Sequence, residues 1–443
     1  MKEHRSTCIL YTAATCNLNC KYCYIDKNPA LVTIDKILEK SFDGDYYIDF
    51  MKEMFYKDNL TKIETWGGEP FLAMHRLYQT LDKAIQYFPN LNIVHSSTNF
   101  VSNNWFDEFY GLMKVFAKYP YRQFTYELQL SLDGDEEIND YGRGTGTTKK
   151  FIKSFDNLIK TIGNNLPSNV KLITWLKPTL DQQSIRLLNS KERIIKYYQF
   201  LEQFPLKIQA LGYDNVEMGP GIPNTACPSQ HTVEDGKIFA NLLNMCREIE
   251  EENKIKKYFK LYNCITPFSS NNSDNEEISY KKFSYTCGTG RHHVGLLPNN
   301  MISTCHNGFV DMLADYKKFA IDDNNRESSI DFEIFLNNQP SKFTLTMEQF
   351  KQYEKQVELG CNFNCTAQTG NITALIQTLA FANQIDEKYQ DEKEALKATL
   401  FLKNHTSFCM RDNHNVTGSI HMYPVGLIRL LLNGAKEIIT NEQ

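Results

Sequence analysis

Three cysteines near the start of the chain, Cys16, Cys20 and Cys23, are spaced C-x3-C-x2-C. That spacing cannot place all three thiols on one helical face, but a loop can wrap them around a single iron–sulfur cubane, one thiolate on each of three irons. A four-iron cluster ordinarily takes four cysteines. With three, one iron keeps an open coordination position, and an open position is how a metal site binds substrate. The competing assignments are zinc or buried thiols. Structural zinc usually draws on two C-x2-C-like pairs, and no second pair sits near this one in sequence.

The chain of 443 residues holds twelve cysteines: four within the first 23 residues, then none until Cys227, the last being Cys409. No apolar signal segment precedes them, so metal thiolates in a reducing compartment are expected rather than a disulfide framework. The distribution implies two separate metal regions. Cys8 falls among Ile9 and Leu10 and is expected to be a small core residue, as is Cys246. The net charge of −5 is spread over interspersed acids and bases. No basic face advertises nucleic acid, no polybasic segment a membrane surface, and no apolar run approaches the roughly 18 residues that span a bilayer. A cytoplasmic location is expected.

The elements that must position these residues follow from the pattern between Thr7 and Gly219, where short β-branched apolar runs alternate with longer amphipathic stretches. This is the signature of repeated βα units on a parallel sheet. Six strands are expected, at Thr7–Ala13, Lys62–Trp66, Asn92–Ser96, Thr125–Leu132, Val170–Leu176 and Lys207–Leu211. Helices are expected at Leu72–Phe88, Trp105–Lys118, Lys149–Ile162, Ser184–Phe204 and Val233–Glu251, the last with an apolar stripe of Ile238, Leu242, Leu243 and Met245. Ser269–Glu277 has almost no apolar content and reads as a solvated linker. The predicted architecture is α/β: a partial (β/α)6 TIM-like barrel over residues 1–255, a smaller cysteine-rich domain over 256–370 and a C-terminal helical segment over 371–443.

The loop Cys16-Asn-Leu-Asn-Cys20-Lys-Tyr22-Cys23 resembles the signature of the radical S-adenosylmethionine superfamily, including the aromatic residue before the third cysteine. Three further motifs resemble that superfamily in the same order, each at the end of an expected strand. Gly67-Gly68-Glu69-Pro70 resembles the motif that holds the amino group of the methionine moiety. Ser97-Thr98-Asn99 resembles a Thr-Asn-Gly turn, with Phe100 in place of the glycine. Ser131-Leu132-Asp133-Gly134 resembles the ribose and carboxylate contact segment, with Arg143 where a methionine-carboxylate arginine is usual. The resemblance implies a [4Fe-4S] cluster on Cys16, Cys20 and Cys23. It also implies S-adenosylmethionine contacts from Tyr22, Gly67, Gly68, Glu69, Asn99, Ser131, Asp133 and Arg143. The implied chemistry is one-electron cleavage of S-adenosylmethionine to a 5′-deoxyadenosyl radical, which abstracts a substrate hydrogen.

Cys287-Gly-Thr-Gly290 and the segment from Pro298 to Cys305 and His306 resemble the opening of the SPASM domain, in which peptide-modifying radical enzymes hold auxiliary iron–sulfur clusters. Asn300 stands at the family's glycine. Cys361-Asn-Phe-Asn-Cys365 resembles a later C-x3-C, and Cys409 the final cysteine. Gln352 and Lys355 occupy the positions of an expected C-x2-C. The resemblance implies one or two auxiliary clusters, the first on Cys287, Cys305, Cys365 and Cys264. Cys361 and Cys409 would be remnants of a second cluster, or its ligands together with Cys227 and Cys246. His292, His293 and His306 flank this region, and a histidine beside a metal loop is about as often a surface residue or a support for a ligand as a ligand itself, so none is assigned. The implied partners are a peptide or protein substrate, recognised either by the barrel and tail directly or by a separate leader-peptide-binding protein, and an electron donor such as flavodoxin or ferredoxin. The implied activity is a crosslink or side-chain oxidation on a ribosomal peptide. A radical oxidase or decarboxylase of a small molecule or tetrapyrrole shares the same core, and a zinc-stabilised binding module is the alternative of another class.

Overall fold

The computed structural model describes residues 5–23, 25, 30–219, 224–225, 238, 241–242, 245–246, 248–249, 252, 293–297, 301–303 and 344–351. In chain order the elements are β1 (Thr7–Ala13), α1 (Ala30–Phe42), α2 (Tyr46–Met54), β2 (Lys62–Gly67), α3 (His75–Tyr87), β3 (Ile93–Thr98) and α4 (Trp105–Ala117). There follow β4 (Phe124–Leu130), α5 (Glu136–Arg143), α6 (Thr147–Asn165), β5 (Val170–Leu176), β6 (Thr179–Leu180), α7 (Gln182–Leu187), α8 (Lys191–Gln209), β7 (Val216–Gly219) and β8 (Asn224–Thr225). Short strands β9 (His293–Leu296), β10 (Ile302–Ser303) and β11 (Thr344–Leu345) complete the order.

One sheet runs β11-β10-β9-β1-β2-β3-β4-β5-β7, and every pair from β9 to β7 is parallel. Parallel neighbours end on the same edge, so the segments leaving β1, β2, β3 and β4 are gathered along one rim. An α/β core of parallel strands is present, with five of the six expected strands in it. Strand alternation explains its burial: on β4 and β5 the even-numbered residues are buried and the odd ones half-exposed. Tyr126, Leu128, Leu130, Leu172 and Leu176 join the helices in one core with Phe109, Phe116, Phe155 and Leu201.

Several expected limits shift by one to three residues, and two expected elements change character. Lys207–Leu211 is not a strand: α8 runs through it to Gln209, because Leu201, Phe204 and Ile208 continue one buried helical stripe. Five residues are too few to separate a strand period from the end of a helix. The chain leaves this helix through Gly212, whose φ of 66° suits glycine, and the sixth parallel strand is β7. The expected helix Ser184–Phe204 is two helices, divided where Ser190 accepts a hydrogen bond from the Arg193 amide and caps α8. Between β1 and β2, α1 and α2 had not been anticipated. Of the expected helix Val233–Glu251, Ile238, Leu242, Met245, Cys246 and Ile249 are helical and pack on the core. Among the described residues, no helix is long and apolar enough to cross a membrane.

Candidate iron–sulfur and cofactor site

The cysteine loop leaves β1 at the strand-end rim, beside the turn that leaves β2. The two are welded by backbone hydrogen bonds, Gly68 N to the Ala13 carbonyl at 2.8 Å and Glu69 N to the Thr15 carbonyl at 2.9 Å. That approach requires both glycines: a Cβ on Gly67 would stand 1.8 Å from the Ala13 oxygen and one on Gly68 2.2 Å from the Thr15 oxygen. The Gly-Gly pair therefore holds the β2 turn against the cysteine loop itself.

Glu69, at the end of this turn, is 1% exposed. Its Oε1 accepts from Thr98 Oγ1 at 2.6 Å and from the Phe71 amide at 3.1 Å, and its Oε2 accepts from the Asn99 amide at 2.7 Å. A carboxylate offers about four acceptor positions, so one on Oε2 is left. Burial pushes the Glu69 pKa up to about 7, against the hydrogen bonds that pull it down. A group in this state gains most from a cationic ligand.

Asn99 connects the end of β3 to the cysteine loop, its Nδ2 donating to Asn17 Oδ1 at 2.7 Å and lying 3.7 Å from Cys16 Sγ. Phe100, where a glycine was expected, has φ of 62° and is fully buried. Its ring packs 4.5 Å from Trp105 and 5.5 Å from Phe151, contacts that hold a bulky residue in a left-handed backbone conformation. The turn keeps the glycine-like shape without the glycine. Ser131 continues the β4 ladder, its amide bonded to the Thr98 carbonyl at 2.8 Å.

Asp133 is spent differently. Its Oδ1 accepts from Arg143 Nη2 at 2.7 Å and the Thr179 amide at 2.9 Å, and its Oδ2 from Arg143 Nε at 2.9 Å and from the Tyr22 hydroxyl. All four acceptor positions are filled by protein donors. Burial opposes the Arg143 charge, but Asp133 outweighs it and holds that pKa above its ordinary value. Tyr22 is raised well above the usual range, first by burial. The pair fixes Tyr22, the residue before Cys23.

Cys16 and Cys20 are half-buried and Cys23 is exposed. Burial, helped by the nearby Glu69 charge, pushes the Cys16 thiol up to about 12, and burial also raises Cys20. Binding of iron would displace these thiol protons. Among the described residues no three His, Cys, Asp or Glu side chains converge on the position of a single ion. A cubane asks something else of its ligands, one thiolate on each of several irons. Three soft donors on one loop, beside a carboxylate with an unused acceptor, fit a cluster with an open iron.

Cys8 and Cys246 are buried in the core, as expected. His293 lies on β9 opposite Thr7 of β1. Cys227, Cys264, Cys287, Cys305, Cys361, Cys365, Cys409, His292 and His306 lie outside the described residues. Asp35 on α1 and Arg76 on α3 had not been singled out. Asp35 receives the Ala14 and Thr15 amides at 2.8 and 3.1 Å, Thr15 Oγ1 at 2.6 Å and Arg76 Nη1 at 2.8 Å. Nothing in their sequence spacing signals these contacts, which span 20 to 41 positions.

Residues 5–137 match the model of the Fer4_12 family, described as a 4Fe-4S single cluster domain. An uncharacterized protein of Methanothermobacter thermautotrophicus is 24% identical over 151 residues, 33% of this chain, and the chain spans about half the length of that relative. The solved structure "Native anSMEcpe with bound AdoMet" is 16% identical, covering 68% of this chain and 74% of its own, with a TM-score of 0.41. "Native anSMEcpe with bound AdoMet and Cp18Cys peptide" is also 16% identical, covering 68% and 73%, with a TM-score of 0.39. Residues 5–137, which hold the thiol loop and the turns after β2, β3 and β4, thus resemble a 4Fe-4S single cluster domain.

Proposed function

We propose that Cys16, Cys20 and Cys23 hold a [4Fe-4S] cluster whose open iron takes S-adenosylmethionine, and that the enzyme abstracts hydrogen from a peptide or protein substrate. The observation that carries the cofactor assignment is Glu69, buried beside Cys16 with one acceptor position left over. When bound, the reduced cluster and S-adenosylmethionine together supply a 5′-deoxyadenosyl radical. Glu69 would receive the ammonium of the methionine moiety, and Asn99 and Ser131, after β3 and β4, would continue the rim beyond it. Tyr22, Asp133 and Arg143 would act by holding the far end of the cysteine loop in place, the fork of Arg143 being closed on Asp133. Gly67 and Gly68 would set the separation between Glu69 and the loop.

The peptide substrate rests on the SPASM resemblance of the second cysteine region. On this proposal Cys264, Cys287, Cys305 and Cys365 ligate an auxiliary cluster, with Cys361 and Cys409 available to a second. The barrel would occupy residues 1–255, the auxiliary domain 256–370 and its helical completion 371–443. The product would be a crosslink or an oxidised side chain, with a flavodoxin- or ferredoxin-like donor supplying electrons. The barrel and tail would recognise the peptide directly, or a separate leader-binding protein would present it, and metal thiolates suit a cytoplasmic setting.

The test is anaerobic reconstitution followed by iron and sulfide quantification, on wild type and on the Cys16→Ala, Cys20→Ala, Cys23→Ala triple variant. A loss of about four irons per chain is expected, together with loss of 5′-deoxyadenosine formation under reduction. Zinc in place of iron, with no 5′-deoxyadenosine from the wild type, would overturn the assignment. Irons retained by the triple variant would count the auxiliary clusters.

A further inference from the structure

The cysteine loop is held at both ends by saturated aspartates, each coupled to an arginine. Beyond the loop's middle, Asp133 with Arg143 fixes Tyr22, and the Lys21 amide bonds the Gly142 carbonyl at 2.8 Å. Before Cys16, Asp35 fills all four acceptor positions with the Ala14 amide, the Thr15 amide and hydroxyl, and Arg76. Arg76 also donates to the Thr12 carbonyl at 2.8 Å, so one arginine binds both β1 and the carboxylate that grips the residues after it. Both side chains are largely buried, at 11% and 14% exposure.

The grip falls at an informative place. Ala13 and Thr15 are the residues whose carbonyls receive Gly68 N and Glu69 N. The backbone that Asp35 holds therefore carries Cys16 on one side and supports Glu69 on the other. We propose that Asp35 and Arg76 are positioning residues that set the distance between the thiolate-bound iron and the Glu69 acceptor, and thereby the affinity for S-adenosylmethionine rather than the capacity to build the cluster. This rests on the cofactor assignment proposed above. The thiols are local to one loop, so gathering irons depends less on the register between β1 and β2. Chelation of the methionine moiety spans two elements and needs them in register, because a misplacement of about 1 Å weakens several bonds together.

The experiment compares wild type with Asp35→Asn, Arg76→Met and Arg76→Lys, all reconstituted anaerobically. Iron content is measured first, then the change in the electron paramagnetic resonance spectrum of the reduced cluster as S-adenosylmethionine is titrated. Asp35→Asn and Arg76→Met are expected to keep wild-type iron and need roughly tenfold more S-adenosylmethionine, with Arg76→Lys intermediate. Folded, iron-loaded Asp35→Asn with a wild-type titration would overturn the proposal. If Asp35→Asn does not fold, Thr15→Val carries the test, since it removes only the hydroxyl donor. A shift of about threefold is expected, and no shift overturns the proposal.

A wild type that gives no spectral response to S-adenosylmethionine would instead sink the cofactor assignment. Hydrogen–deuterium exchange of the metal-free proteins then decides the clamp on its own. Amides from Ala14 to Cys23 are expected to exchange at least about tenfold faster in Asp35→Asn than in wild type, and equal rates would overturn it.

Discussion

Midway along β2 and β4, Glu64 and Glu127 both lie against Lys62, whose ammonium is 2.9 Å from one and 2.8 Å from the other. His95 on the intervening β3 lies 3.3 Å from Glu127. Five residues beyond Glu64, in the turn that follows the same strand, Glu69 is more deeply buried and receives only neutral donors. Burial raises both carboxyls. At Glu64 it is outweighed by Lys62, helped by His95 and His293, and the pKa falls to about 2. At Glu69 hydrogen bonds offset burial only in part, and the pKa stands near 7. The mid-strand acids are closed ion-pair partners, whereas the strand-end acid is incomplete without a cation. Of an acid on β2 and an acid in the turn after it, the one left electrostatically unfinished is the candidate for a cationic ligand.

The largest test of this contrast is pH, because the two acids act with opposite sign. Glu69 has a folded pKa above its unfolded value of 4.5, so the folded protein holds the extra proton. Its contribution to stability is best below pH 4.5, falls as pH rises to about 7 and is flat beyond, a change on the order of 3 kcal/mol. Glu64 has a folded pKa below 4.5, so its stabilisation is present above pH 4.5 and is lost as pH falls through about 2. Urea unfolding of metal-free protein across this range should show Glu69→Gln flattening the limb from pH 4.5 to 7, and Glu64→Gln flattening the acid limb. Both slopes unchanged would break the comparison.

Next in size is ligand affinity. Glu69→Gln keeps the shape but removes the charge that would meet an ammonium, and S-adenosylmethionine binding to the reconstituted protein should weaken by roughly 10- to 100-fold. Wild-type affinity should also strengthen from pH 6 to 8 as Glu69 ionises. Lys62→Met is expected to cost about 2 kcal/mol in urea midpoint analysis, since it strands Glu64 and Glu127 together, while leaving S-adenosylmethionine affinity within about twofold. The smallest effect is reserved for a carboxylate with a purely structural post. Glu108 accepts from the His75 amide at 2.6 Å at the start of α3, and Glu108→Gln should lower stability by about 1 kcal/mol without altering the cluster spectrum.

Much of this architecture was legible along the chain, because it depends on near neighbours. The strands Thr7–Ala13 and Val170–Leu176 have the predicted limits, since apolar alternation and flanking polar residues are local signals. The end of α8 misled for the same reason: over Lys207–Leu211 a local pattern was too short to name its period. The motif turns were recognisable by residue type, including Ser97-Thr98-Asn99, where Phe100 takes the left-handed conformation that the glycine was expected to supply. Their different uses were not recognisable. Asp133 and Glu69 are both acids at strand ends, and only the fold fills four acceptor positions on one and three on the other.

The sequence by itself determined the kind of chemistry: three thiols on one loop, glycines beside them, an acid and an amide at successive strand ends. Side-chain type and short spacing suffice for that. Tertiary structure alone decided which carboxylate stays open, which ones clamp the loop, and that Asp35 and Arg76 belong to the site at all. Those outcomes depend on an acceptor arriving on α1 and on donors arriving from α3, α5 and the segment after β5, tens of residues away, and on how far each carboxyl is removed from water.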